Sequence, residues 1–140
     1  MMQALTQPKS LYLSDLLTGL LAGLALNNIT ALSIRDNLFD RALARLVDED
    51  VRPQADRLGL ALKFRVRPHE IHGDSTAIQR ALYEAAQRDL ISLDNPEYQD
   101  IRLKISPSEA QAYFEGLPGS PEFYKHLSSK LLEYYQEVAT

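Results

Sequence analysis

The segment LYLSDLLTGLLAGLAL, residues 11–26, is the most apolar stretch of the chain. Ser14 is a residue type that caps helix N-termini, and the two asparagines that follow Leu26 favour a left-handed exit, so the segment predicts a helix ending near Leu26. Within it Gly19 and Gly23 are four residues apart, a spacing that allows two helix backbones to approach closely. We expect that close approach to occur inside the chain.

The same segment bears on where the protein resides. It is too short to span a bilayer, and Asp15 interrupts it. A signal peptide needs a basic start and a cleavage site made of small residues, whereas only Lys9 precedes the apolar run and the candidate cleavage positions fit poorly. We therefore expect a cytoplasmic protein with no membrane partner.

Length and composition are those of one globular domain. The 140 residues are 45% apolar and 24% charged, with no visible repeat or low-complexity tract. We expect a flexible N-terminus over residues 1–9 and a single domain over residues 10–140. The absence of cysteine excludes disulfides, zinc-thiolate sites and thiol nucleophiles. A net charge of −4 argues weakly against nucleic acid as a partner.

Periodicity predicts a helix and then a strand after the apolar segment. SIRDNLFDRALARLVDED, residues 33–50, has helical spacing of its apolar residues, with Ser33 as the cap. Pro53 stops this helix or starts a second short piece, which Gly59 terminates. Residues 60–66 alternate between apolar and polar side chains, as a half-buried strand does.

The second half of the chain predicts a helix, a hairpin and two more helices. The first helix covers residues 76–89, and the strand-like runs ISLD and DIRLKIS after it form a hairpin. The next helix has Ser106 as its cap and Glu109 in a capping box, and the last covers residues 120–138. The order helix, helix, strand, helix, hairpin, helix, helix predicts a mostly helical α+β domain with a small antiparallel sheet.

PHEIHGD, residues 68–74, holds two of the three histidines of the chain. His69, His72 and Asp74 offer the nitrogen and oxygen donors that a divalent metal binds. The alternative is a turn in which Asp74 or the following serine caps the next helix. We favour the turn and expect neither a metal nor a cofactor. No catalytic triad or phosphate-binding loop is evident in the sequence.

The outward face of the helix over residues 76–89, together with the hairpin, carries side chains that suit nucleic acid. Glutamine and arginine pair with base edges, and hairpin cations contact phosphates. The candidate nucleic-acid contacts are Gln79, Arg80, Tyr83, Gln87, Arg88, Arg102 and Lys104. The alternative for this face is a solvated amphipathic surface.

IQRALYEAAQRDLISLDNPEYQDIRLKISPSEAQAYF, residues 78–114, resembles the second half of a winged helix-turn-helix domain. The likeness lies in the order of recognition helix, wing and capped helix. It implies a DNA-binding regulator that reads DNA through the candidate residues of this face. The chain departs from that pattern at RPHEIHG, which leaves little room for the helix that normally precedes the recognition helix.

The last predicted helix is apolar on two sides. One strip has the 3, 4, 3, 4 spacing of a coiled-coil seam and consists of Tyr124, Leu127, Leu131, Tyr134 and Val138. The second strip consists of Phe123, Leu132 and Tyr135. A helix with two apolar sides needs two partners, of which one is the body of the domain. The other is either the N-terminal helix folding back or a second chain.

These patterns favour a non-enzymatic protein-interaction or regulatory module, an adaptor that forms a homodimer through its helix over residues 120–138 or binds another protein there. The alternative is a winged-helix-like DNA-binding transcriptional regulator. A metal-dependent enzyme built on His69, His72 and Asp74 is the third hypothesis.

Overall fold

A computed structural model describes residues 9–35, 38–64, 76–93 and 100–139 of the chain. The apolar segment forms helix α1, Leu13–Leu26, in which every residue from 16 to 25 is buried. Its neighbours are helices α4 (Thr76–Gln87), α5 (Pro107–Glu115) and α6 (Pro121–Ala139). A helix that is apolar all round must be covered on all sides, and these helices provide the cover.

The two ends of α1 differ in how well the sequence predicted them. The predicted cap, Ser14, lies inside the helix, and Tyr12 occupies the N-cap position. The Tyr12 backbone N–H donates to the Asp15 carboxylate at 3.1 Å, so the side chain of the third helical residue closes this end. At the other end Asn28 has the expected left-handed conformation, with φ of 60°.

Helices α1 and α6 approach closely at Gly19 and Gly23, as their spacing predicted. A Cβ atom added at Gly19 would lie 2.1 Å from the Tyr124 ring, and one at Gly23 would lie 2.0 Å from the Ser128 Oγ. The buried Ser128 hydroxyl donates toward the Leu20 carbonyl at 3.1 Å. Both glycines are therefore required by close helix packing within the chain.

The predicted helix over residues 33–50 begins later than expected. Helix α2 covers Leu38–Leu46, a π-helical turn covers Val47–Val51, and α3 covers Arg52–Leu58, ending at Gly59 with φ of +70°. The assignment of Ser33 as its cap is wrong, because Ser33 ends a strand, β2 (Ala31–Ser33). A three-residue strand has too few positions to show a period, which explains why the sequence pattern missed it.

Five short strands form two sheets in the described part of the chain. Strand β1 (Lys9–Leu11) pairs in parallel with β3 (Leu60–Leu62). The predicted hairpin is present as β4 (Ile91–Ser92) and β5 (Asp100–Leu103), and β2 joins it to give the antiparallel order β2, β5, β4.

The predicted fold class is confirmed: the chain is a mostly helical α+β domain with a small antiparallel sheet. Two details differ from the predictions. Lys9 lies in β1, whereas we placed it in a flexible segment, and β3 is shorter than the predicted strand over residues 60–66. No helix in the described residues is long and apolar enough to cross a membrane.

The start of α5 follows its sequence signal closely. Ser106 is the N-cap, Pro107 opens the helix, and the Ser106 N–H donates to the Glu109 carboxylate at 2.9 Å. This backbone hydrogen bond, together with one from the Ser106 hydroxyl, lowers the pKa of Glu109. Helix α6 begins in a similar way, since the Phe123 N–H donates to the Ser120 hydroxyl at 3.3 Å.

Candidate functional site

Helix α4 has one buried face and one face open to solvent. The buried face consists of Ile78, Ala81, Leu82 and Ala85, which belong to the core. The exposed face carries Gln79, Arg80, Tyr83, Glu84 and Gln87. Tyr83 lies at its centre with 60% of its surface exposed, although tyrosine is a residue that usually buries most of its ring.

A groove of about 500 Å³ lies between this exposed face and the hairpin. Its lining residues are Tyr83, Ala86, Asp89, Ile91, Ser92, Leu93 and Lys104. The helix and the hairpin lie side by side because the turn between them is tight. Asp89 takes a left-handed conformation with φ of 65°, and the Leu90 N–H donates back to the Ala85 carbonyl at 3.0 Å.

The charges at the groove balance each other. The Lys104 ammonium forms an ion pair with the Asp89 carboxylate across the junction of hairpin and turn. The remaining lining side chains are apolar or uncharged: Tyr83, Ala86, Ile91, Ser92 and Leu93. The described lining of the groove therefore carries no net charge, and in it an exposed aromatic ring stands beside aliphatic side chains.

The candidate nucleic-acid residues divide into two groups. Three of them contact the chain itself: the Gln79 amide nitrogen lies 3.4 Å from both carboxylate oxygens of buried Asp40, Arg88 donates to the Thr18 hydroxyl at 3.3 Å, and Lys104 pairs with Asp89. The other four are exposed, namely Arg80, Tyr83, Gln87 and Arg102. Within the described residues, Arg80 and Arg102 form no ion pair.

The predicted dimer seam lies in the core of the chain. Tyr124, Leu127 and Leu131 are fully buried and Tyr134 is 5% exposed, because α6 packs against both α1 and α2. The expectation that these side chains face a second chain does not fit this packing. The fold-back alternative fits it, with α2 as an additional partner. The side chain of Val138 lies outside the described residues.

The second strip of α6 is also covered from within. Phe123 is 3% exposed, Leu132 packs against the core, and the Tyr135 hydroxyl donates to the Ser33 carbonyl at 2.6 Å. A helix that is apolar on two sides does need two partners, as the pattern indicated. Both partners belong to the same domain, and the sequence pattern did not contain that information.

A polar network fixes the outer end of α6 to the π-helical turn. The Tyr134 hydroxyl donates to the Asp50 carboxylate at 2.5 Å, and the Arg45 guanidinium lies 4.3 Å from the centre of the same ring. Arg45 also pairs with Glu49 at 2.6 Å and with Glu137 at 3.2 Å. Burial and the bond to Asp50 raise the pKa of Tyr134 above the ordinary tyrosine value of 10.0, so its hydroxyl remains a donor even in alkaline solution. This arrangement is structural.

The candidate metal ligands His69, His72 and Asp74 lie outside the described residues. In the ranges 9–35, 38–64, 76–93 and 100–139, no group of three or more histidine or acidic side chains is placed to hold a metal ion.

Sequence reasoning identified Tyr83 and Lys104 as candidates but missed the aliphatic lining of the groove. Ala86, Ile91 and Leu93 read as ordinary helix and strand residues, and only the tight turn shows that they share a surface with Tyr83. The predicted adjacency of helix and hairpin was the available signal for it.

No protein-family model matches the sequence, and comparison with curated proteins and with solved structures gives no significant match.

Proposed function

We propose that this chain is a non-enzymatic regulatory or adaptor module that binds a protein partner through the surface formed by α4 and the hairpin. The observation that carries the proposal is the groove of about 500 Å³, whose described lining has no net charge, beside Tyr83, a tyrosine with 60% of its surface exposed. Aromatic side chains are enriched at protein interfaces, and charged residues are depleted from the centres of such interfaces.

The energetics of the groove support this proposal. Covering a large apolar or aromatic side chain contributes about 1.5–3 kcal/mol relative to leaving it in water. Tyr83 and the half-buried Leu93 are still partly exposed to water, so a partner that covered them would gain part of that free energy. Because Lys104 and Asp89 already neutralise each other, a partner would not have to desolvate an uncompensated charge there.

The proposed surface differs from the one that the sequence pattern favoured. The seam of α6 is buried, so binding through it would require the domain to open. Binding through the α4 surface requires neither an opening of the domain nor a second copy of the chain.

Photo-crosslinking in the native host tests this proposal. A photoreactive phenylalanine analogue placed at position 83 should capture a defined protein, whereas the same group at position 12 should not. Tyr12 is a matched control because it is also a tyrosine, with 53% of its surface exposed, and it lies outside the groove. Equal capture profiles at the two positions, or none at position 83, would contradict the proposal.

A second candidate is a winged-helix-like DNA-binding regulator. The observation in its favour is that Arg80 and Arg102 are exposed and form no ion pair in the described part of the chain. The order α4, β4, β5, α5 also preserves the helix, wing and capped-helix order of the resemblance. A duplex should then retain the protein at low salt, and Arg80→Ala with Arg102→Ala should weaken binding and flatten its salt dependence. Absence of retention at low salt excludes this candidate.

A further inference from the structure

The two edge strands of the antiparallel sheet, β2 and β4, differ in what contacts their outer side. At the β2 edge, the Leu103 N–H donates to the Thr30 carbonyl, so the backbone groups of Thr30 face β5. Because these groups alternate in direction along a strand, the Ser33 carbonyl points away from β5. It accepts a hydrogen bond there from the Tyr135 hydroxyl. Helix α6 thus bonds an outward carbonyl of that edge. At the β4 edge, no strand in the described residues pairs with the side opposite β5.

The register of β4 with β5 determines which backbone groups of β4 point outward. Lys104 donates its N–H to the Leu90 carbonyl at 2.9 Å, and Ser92 stands opposite Arg102. In an antiparallel pair the bonded positions alternate, so the N–H and C=O of Ile91 and the N–H of Leu93, which directly follows β4, point away from β5. Both residues line the groove.

We infer that the groove takes an extended peptide segment of the protein partner, which adds to the open edge of β4 as a further strand. This inference rests on the proposed function and specifies how the partner is bound. Main-chain hydrogen bonds to Ile91 and Leu93 give the segment its direction, and alternate side chains enter the groove. Tyr83 lies on the helix side of the groove and covers the segment.

The lining of the groove defines the chemistry of that segment. Ala86, Ile91 and Leu93 favour aliphatic or aromatic side chains at the inward positions. Among the described lining residues, the pairing of Lys104 with Asp89 leaves no unpaired charge to bind a carboxylate or a phosphate. The segment is therefore an uncharged, apolar-alternating peptide, and a nucleic-acid backbone does not match the groove.

The test uses the full chain and a displayed library of random twelve-residue peptides as the probe. Peptides that the chain selects from the library are synthesised, and their binding to the chain is measured by calorimetry. Binding should slow hydrogen exchange at the Ile91 and Leu93 amides at least tenfold. N-methylation of the peptide at alternate positions should weaken binding at least tenfold, while N-methylation at the intervening positions has little effect.

Two variants of the chain separate edge pairing from side-chain contact. Leu93→Pro removes an outward N–H and places a ring on the strand edge, so it should abolish peptide binding. Tyr83→Ala should weaken binding at least tenfold and serves as the second test if the proline variant does not fold. Tyr12→Ala is the control and should bind as the unmodified chain does.

The outcomes distinguish this inference from the proposed function. If position 83 captures a protein but the selected peptides neither protect Ile91 and Leu93 nor respond to N-methylation, strand addition is wrong and the proposed function stands. If the library gives no peptide whose binding depends on Tyr83, strand addition is also wrong. If position 83 captures no protein, both proposals fail. Capture of DNA instead supports the second candidate function and overturns the inference.

Discussion

The core face of α6 and the outer face of α4 are both rich in side chains that commonly form interfaces, yet the fold treats them in opposite ways. Tyr124 and Tyr134 are buried against α1 and α2, while Tyr83 is 60% exposed. The spacing on α6 resembled an interface seam more closely than the pattern on α4 did. The difference teaches that periodicity shows that a face needs a partner but does not show whether the partner belongs to the same chain.

The strongest test of this comparison is Leu131→Glu. Leu131 is fully buried, so the substitution places a charge in the core, and we expect a loss of more than about 4 kcal/mol in the free energy of unfolding. Circular dichroism should show an unfolded chain. Gln136→Glu adds the same charge at an exposed position of α6 and should leave the spectrum unchanged. A folded Leu131→Glu variant that merely changes from dimer to monomer would restore the seam as an interface.

A second test concerns the close contact between α1 and α6. Gly19→Ala should lower the free energy of unfolding by about 1–3 kcal/mol, because the new methyl group overlaps the Tyr124 ring. In an ordinary helix the same change would stabilise by roughly 0.5–1 kcal/mol. Urea denaturation measures the difference. Gly116→Ala is the matched control, since the nearest atom to its added Cβ lies at 3.9 Å, and a similar loss there would argue against the packing explanation.

Removing single hydroxyl groups compares the two faces directly. Tyr134→Phe keeps the ring beside Arg45 but loses the hydrogen bond to Asp50. This loss should lower the free energy of unfolding by about 1–2 kcal/mol. Tyr83→Phe should change the free energy of unfolding by less than about 0.5 kcal/mol, because that residue is exposed. Both values come from the same urea titrations. Equal losses for the two variants would mean that Tyr83 is bonded within the domain.

Alkaline pH should give the smallest change in the free energy of unfolding, through the buried Tyr124 and the partly buried Tyr135. Burial raises the pKa of Tyr124 and Tyr135 above the ordinary value of 10.0, so above pH 10 the unfolded chain releases protons that the folded chain retains. Stability is complete below pH 10 and falls as pH rises, by up to about 1 kcal/mol per tyrosine at pH 10.5. Tyr135→Phe should reduce the slope of stability against pH. An unchanged slope would show that Tyr135 ionises equally in both states.

The α4 surface was predictable in part. Its exposed polar and aromatic residues follow from a helical period, and the hairpin after it follows from two strand-like runs around a turn. The groove itself was not predictable, because it depends on the left-handed turn at Asp89 and on the ion pair that joins Lys104 to it. The ion pair joins residues fifteen positions apart, and no local pattern encodes that pairing.

The sequence by itself determined the elements whose signals are local. The cap of α5 at Ser106 with Glu109 and the left-handed exit of α1 at Asn28 involve residues that are near neighbours in the chain, and the hairpin of β4 and β5 joins two consecutive strand-like runs across one turn signal. Their hydrogen bonds close short loops, so the residue types at those positions are sufficient to specify them.

Only the tertiary structure decided which elements meet. The parallel pairing of β1 with β3 joins residues about fifty positions apart, and the three-residue strands β1 and β2 have no period of their own. Likewise, the burial of Leu131 and the exposure of Tyr83 depend on where α1 and α2 lie. The physical reason is that apolar burial is non-directional: any surface of the right shape satisfies it, and the whole fold determines which surface is available.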